Sequence, residues 1–184
     1  MNYEHYKNAR NLVWQILLQE GENSLPINVS QLCRKLQIQV KLYEPEDDNS
    51  GECRIIGGTP VILVSRFDMP SRQRFTAAHE LGHILLGHVG KHKLVKREPS
   101  SLDNPIEQEA NVFASRLLAP ACVLWGCNVK TAEDIIKLCD ISRQAAEYRM
   151  ERMNELYKRD MFLSHPLERE VYRQFYEYIR EHRL

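Results

Sequence analysis

Between Ser71 and about His88 the chain carries Phe75, Ala77, Ala78, Leu81, Ile84, Leu85 and Leu86, an apolar pattern that reads as a helix buried on most of its sides. Set into that helix is His79-Glu80-Leu81-Gly82-His83. Four residues of α-helix advance ~400°, so His79 and His83 lie ~40° apart on one face and one turn apart. Two imidazoles and a carboxylate turned toward an interior are costly unless something pairs with them. A metal ion does so, since imidazole nitrogens ligate zinc at about 2.0–2.1 Å. Glu80 lies ~100° round from His79. That offset makes it a poor ligand but a good neighbour for a water that needs deprotonating. The competing reading, two histidines packed or solvated for ordinary reasons, fits an apolar helix less well.

A catalytic zinc needs a third protein ligand and an open position. A metzincin would place Gly at 86 and His at 89, where this chain has Leu86 and Val89, so that class is excluded. A carboxylate from a second helix is the alternative. Asn104 as N-cap and Pro105 at the first helical position mark such a helix, running from Ile106 to Leu118 and stopped by Pro120. With Ile106, Ala110, Phe113 and Leu117 as its core stripe, Glu107 falls on the flank of Asn111, Ala114 and Leu118, whereas Glu109 falls with Arg116. Glu107 is therefore the expected third ligand, although its position also suits a capping box with Asn104. Asn111, one turn on, is expected to accept a hydrogen bond from a ligating imidazole, with ordinary helix packing as its other reading. His88 points ~180° from His79 on the helix from Ser71, so it reads as structural rather than ligating. His92 falls in a basic loop, Lys91 to Arg97, and reads as solvated. Gly82 either leaves room on the metal side or serves helix packing.

Around this segment, Tyr3 to about Gln19 and Val29 to Leu36 read as helices. Val40 and Leu42 suggest a strand. Cys53 to Ile56 and Val61 to Ser65 are short β-prone runs joined by Gly57-Gly58-Thr59-Pro60, with Pro60 favouring an edge. Thr131 to Cys139 and Ser142 to about Leu156 read as helix, turn and helix, and Pro166 to Arg183 as one amphipathic helix. The expected fold is α+β: a small, mostly antiparallel sheet packed on the His79 helix and the Glu107 helix, with a helical C-terminal part. The expected division is 1–125 for the metal-bearing domain and 126–184 for a helix-turn-helix-like pair plus terminal helix.

Lys and Arg number 25, as do Asp and Glu, leaving no global charge to draw the chain to nucleic acid or anionic lipid. The five cysteines are odd in number and include no Cys-x-x-Cys pair, which argues against a disulfide framework and a thiolate zinc site. With no leader-like start and no run of ~20 apolar residues, a cytoplasmic, unexported protein is expected.

The stretch from Ser71 to His83, followed by Glu107-Gln108-Glu109-Ala110-Asn111-Val112-Phe113-Ala114 and Leu117-Leu118-Ala119-Pro120, resembles the ImmA/IrrE family of metallo-endopeptidases, with likeness over about Pro26 to Leu156. Where this chain has Ala119, family members often show Met. The resemblance implies Zn²⁺ held by His79, His83 and Glu107, with Glu80 as general base. It further implies cleavage of helix-turn-helix repressors in bacterial or mobile-element circuits.

The expected reaction is peptide hydrolysis without a covalent intermediate, Glu80 taking a proton from the attacking water and returning it to the leaving amine. A substrate strand is expected to pair with an exposed edge at Val61 to Ser65. Tyr148 and Arg149 are polar candidates for oxyanion stabilisation, a surface role being their simpler reading. Two other function classes compete. One is a DNA-binding regulator using Thr131 to Leu156, but Glu147, Glu151 and Glu155 interleave with Arg143, Arg149 and Arg152, so direct nucleic-acid binding is not expected. The other is an adaptor that keeps the metallopeptidase fold and binds without cutting; intact ligand and base positions argue against it.

Overall fold

The computed structural model describes residues 3–89 and 104–184. In chain order it comprises α1 (Tyr3–Gln19), α2 (Val29–Lys35), β1 (Gln39–Tyr43), β2 (Gly51–Ile56), β3 (Thr59–Ser65), α3 (Pro70–Leu85), α4 (Pro105–Leu118), α5 (Ala121–Gly126), α6 (Ala132–Cys139), α7 (Arg143–Lys158), α8 (Pro166–Gln174) and α9 (Tyr176–Glu181). The fold is α+β. The basic stretch from Lys91 to Arg97, with His92, and Ser100-Ser101 lie outside the described residues. The chain divides into two units, Met1–Arg10 with Asn28–Ala114, and Asn11–Ile27 with Ser115–Leu184.

In the first unit the sheet runs β1-β3-β2, with β1 parallel and β2 antiparallel to β3. It is therefore mixed rather than mostly antiparallel. The cause is the short connection after β1, which passes the C-terminal end of β3 and delivers β2 to the opposite side. That connection is fastened where it crosses: Ser65 N donates to Ser50 O at 2.9 Å and Arg66 N to Tyr43 O at 3.0 Å. Gly57 and Gly58, with φ of 57° and 82°, then turn β2 back into β3.

This topology corrects the expected edge. Val61 to Ser65 is the central strand, and β1 and β2 are the edges. The unbroken Val61-Ile62-Leu63-Val64 run is the pattern of a strand covered on both faces, and Val61, Ile62 and Val64 are buried. Pro60 is tolerated because it sits near the strand's start, opposite Ile55.

Helix α3 packs across β2 and β3. Gly51 permits the close approach: a Cβ there would collide with the Thr76 methyl of α3 and stand 2.7 Å from Leu63 O. Arg72 Nε donates to Ser50 Oγ at 3.0 Å, and Gln73 Nε2 donates to Ser65 O at 2.9 Å. Both bonds tie the first turn of α3 to the sheet end where β3 leaves off. From Thr76 to Gly82 every residue of α3 is buried.

In the second unit, Pro120 both ends α4 and opens α5, a short helix absent from the sequence expectation. Thr131 and Asp134 form a capping box at the start of α6, Asp140 at φ 50° turns the chain, and Ser142 caps α7. The expected single terminal helix is two helices: the fully buried Phe175, at φ −90° and ψ 5°, departs from helical geometry between α8 and α9, although its N–H still bonds Val171 O at 3.0 Å. Among the described residues no helix is long and apolar enough to cross a membrane. None of the five cysteines is in a disulfide.

Candidate metal centre

The i, i+4 spacing on α3 brings His79 Nε2 within 2.9 Å of His83 Nε2. Helix α4 adds Glu107, whose Oε2 lies 3.2 Å from His79 Nε2 and whose Oε1 lies 3.4 Å from His83 Nε2. One ligand atom from each of the three lies within 4.8 Å of the other two. Four donors held tetrahedrally at about 2.0–2.1 Å from zinc stand roughly 3.3 Å apart. The donor set fits such an ion in both spacing and chemistry.

Glu107 does not close a capping box; Asn104 Oδ1 instead accepts from Ile106 N at 3.0 Å. Pairing with His79 first, and with His83 next, holds the Glu107 carboxyl well below the usual carboxylate range, against the opposing effect of burial. It therefore stays anionic and available to a cation. His79 Nδ1 lies 2.9 Å from Asn111 Oδ1. An amide oxygen can only accept, so His79 Nδ1 carries a proton toward Asn111 and its Nε2 is the nitrogen that faces Glu107.

Gly82 lies where α3 meets α4. A Cβ on it would stand 3.0 Å from Phe113 Cδ1 and 3.2 Å from Phe113 Cβ, so the absent side chain admits the Phe113 ring. Helix packing is thus its visible role. Glu107 lies six residues before Phe113 on the same helix, so this close packing and the carboxylate's approach to the imidazoles belong to one helix–helix contact.

Glu80 is buried, with 4% exposure. The Cys53 thiol of edge strand β2 donates a hydrogen bond to its carboxylate, and burial followed by that carboxylate's charge pushes the thiol well above its ordinary range. Sequence reasoning missed Cys53. Its β-prone run was legible, but only the packing of β2 on α3 reveals which strand residue reaches Glu80.

Two further side chains were also misjudged. Glu109, expected on an outer flank, is 7% exposed, and its Oε2 lies 3.0 Å from His88 Nε2. His88 Nδ1 in turn lies 3.0 Å from His83 Nδ1. The phase argument failed for His88 because α3 ends before it. Leu86 is the C-cap, Gly87 adopts φ 73°, and the chain folds back in a Schellman motif, Gly87 N donating to Ile84 O at 3.1 Å and His88 N to His83 O at 2.9 Å. A glycine followed by histidine at a helix end was the available signal. Burial lowers the His88 pKa from its ordinary value, while Glu109 opposes the shift.

Tyr148 and Arg149 belong to the second unit. Tyr148 is exposed, and Arg149 is buried with its Nε donating to Ala119 O at 2.8 Å. Arg149 thus serves a carbonyl at the end of α4.

A family model for the peptidase family described as the IrrE N-terminal-like domain matches residues 33–151. Two radiation response metalloproteases IrrE are similar over 99 residues, or 48% of this chain: that of Deinococcus radiodurans at 32% identity, covering 30% of its length, and that of Deinococcus deserti at 33%, covering 34%. The matched stretch thus spans about a third of either relative. Among solved structures, a Mycobacterium tuberculosis transcriptional regulator superposes with a TM-score of 0.50 at 15% identity, covering 81% of this chain and 47% of that one. That likeness concerns the fold.

Proposed function

This chain belongs to the ImmA/IrrE family of peptidases, and from that premise we propose that it is a zinc-dependent endopeptidase in which His79, His83 and Glu107 hold the metal and Glu80 is the general base. The observation that carries the proposal is the convergence of the three ligand atoms from two helices within 4.8 Å. Asn111 supports it by accepting the His79 Nδ1 proton, which leaves the opposite nitrogen free to ligate.

When bound, zinc would act as a Lewis acid toward the scissile carbonyl and would make a nearby water acidic near neutral pH. Glu80, one residue along the helix from His79, takes that water's proton and returns it to the departing amine, so both proton transfers use one carboxylate. Cys53 holds that carboxylate from the strand side. Among the described residues β2 is paired on one side only. Cys53, whose thiol meets Glu80, belongs to this edge strand, which favours docking an extended peptide there by main-chain hydrogen bonds.

The proposed substrate is a helix-turn-helix repressor, and the proposed location is the cytoplasm. The family resemblance supports the first; the lack of disulfides and of a membrane-crossing helix among the described residues agrees with the second. The test incubates the purified zinc-loaded chain, and its Glu80→Gln variant, with a candidate helix-turn-helix repressor. Cleavage by the wild type alone, with zinc retained in both, is the expected result; equal cleavage by the variant rules out Glu80 as base.

A further inference from the structure

We propose that His88 is a positioning residue for His83, accepting the His83 Nδ1 proton and donating its own Nε2 proton to Glu109 so that the His83 Nε2 lone pair is aimed at the metal. The proposal rests on the reading of His79, His83 and Glu107 as ligands.

Its starting point is the carboxylate at the end of the chain of contacts. Glu109 can only accept, so the bond at 3.0 Å requires His88 Nε2 to carry a proton. A neutral imidazole then has a bare Nδ1, which can only accept. That nitrogen faces His83 Nδ1 at 3.0 Å, so His83 must be the donor. With its proton on Nδ1, His83 has its lone pair on Nε2, the atom facing His79 and Glu107. With His88 neutral, each link has one direction, and the directions agree.

The backbone shows why a residue beyond the helix can do this. The αL conformation of Gly87 sends His88 back over the last turn, where its N–H bonds His83 O while its ring meets the His83 ring. His83 is thereby held by main chain and side chain of the same residue. The ring centroids are 5.1 Å apart with planes at 66°, an edge-on meeting suited to an in-plane N–H···N bond. His5 of α1 contacts the second Glu109 oxygen, Oε1. His79 is oriented by an amide and His83 by an imidazole backed by a carboxylate.

The test measures zinc affinity of the full chain by chelator competition, and the visible spectrum of the cobalt-substituted form, for wild type, His79→Ala, His88→Ala, His88→Gln and Glu109→Gln. Wild type is expected to bind one zinc and His79→Ala to bind none. His88→Ala should bind about 10–100-fold more weakly, with a shifted cobalt spectrum. His88→Gln, whose amide can accept and donate in the same sequence, should recover most of that loss. Were His88 only a packing residue, His88→Ala would lower the apo melting temperature and leave zinc affinity unchanged, which overturns the proposal but not the metal site. If wild type binds no zinc, both readings fall. Should His88→Ala not fold, Glu109→Gln carries the test: several-fold weaker zinc binding supports the relay, and unchanged binding overturns it.

Discussion

Glu107 and Glu109, two residues apart on α4, bond different histidines: Glu107 approaches His79 and His83 at 3.2 and 3.4 Å, whereas Glu109 approaches His88 at 3.0 Å. On a helix such residues diverge by ~200°, yet both are drawn in because α3 lies to one side of α4 and the turn after α3 reaches to another. The two carboxylates should therefore separate cleanly in experiment. Glu107→Ala is expected to abolish stoichiometric zinc binding, while Glu109→Ala retains the metal with reduced affinity. Metal analysis after dialysis against a weak chelator measures both; the reverse order would transfer the ligand role to Glu109.

Asn111 offers a second, graded test. Removing the acceptor in Asn111→Ala should weaken zinc binding about 10–100-fold, because His79 loses the bond that keeps its proton on Nδ1. Asn111→Asp supplies the same acceptor with a charge and should bind zinc at least as tightly as wild type. Competition against a fluorescent zinc chelator distinguishes these outcomes, and equal affinity in all three proteins would leave Asn111 no part in the site.

At the α3–α4 contact, Gly82→Ala introduces a methyl group 3.0–3.2 Å from Phe113. Phe113 is fully buried, so the ring cannot simply swing aside. The expected cost is about 1–3 kcal/mol of overpacking, read by urea denaturation of the apo protein. Zinc affinity should fall as well, since the displaced helix carries Glu107. A paired Gly82→Ala, Phe113→Leu variant should regain part of both losses.

Cys53 predicts an effect on turnover without one on the metal. Cys53→Ala removes the donor to Glu80 and should lower kcat several-fold with zinc content unchanged, whereas Cys53→Ser, which keeps a donor, should stay near wild type. Loss of zinc from Cys53→Ala would instead mean that the thiol supports the ligands.

The α6–α7 pair is expected to show no affinity for duplex DNA that falls steeply with salt. Arg143 is 2.6 Å from Glu133 and 3.9 Å from Glu147, and Arg149 is buried against Ala119 O, so neither presents a free guanidinium to phosphate. Mobility shifts at two ionic strengths would reveal the contrary.

Capped helix starts were legible in the sequence because they depend on neighbours a few residues away: Asn104 before Pro105, Thr131 before Asp134, Ser142 before α7. The same locality puts His79 and His83 on one face of α3, since an α-helix repeats within four residues. What the sequence determined by itself is this short-range geometry and the residue chemistry of the HExxH pair. Tertiary structure decided the rest. The order β1-β3-β2 depends on where a connecting loop crosses the sheet, the partner of Glu80 on which strand packs against α3, and the partner of His83 on one glycine's left-handed turn beyond the helix. These are contacts between segments distant in sequence, or departures from helical phase, and periodicity carries no information about either.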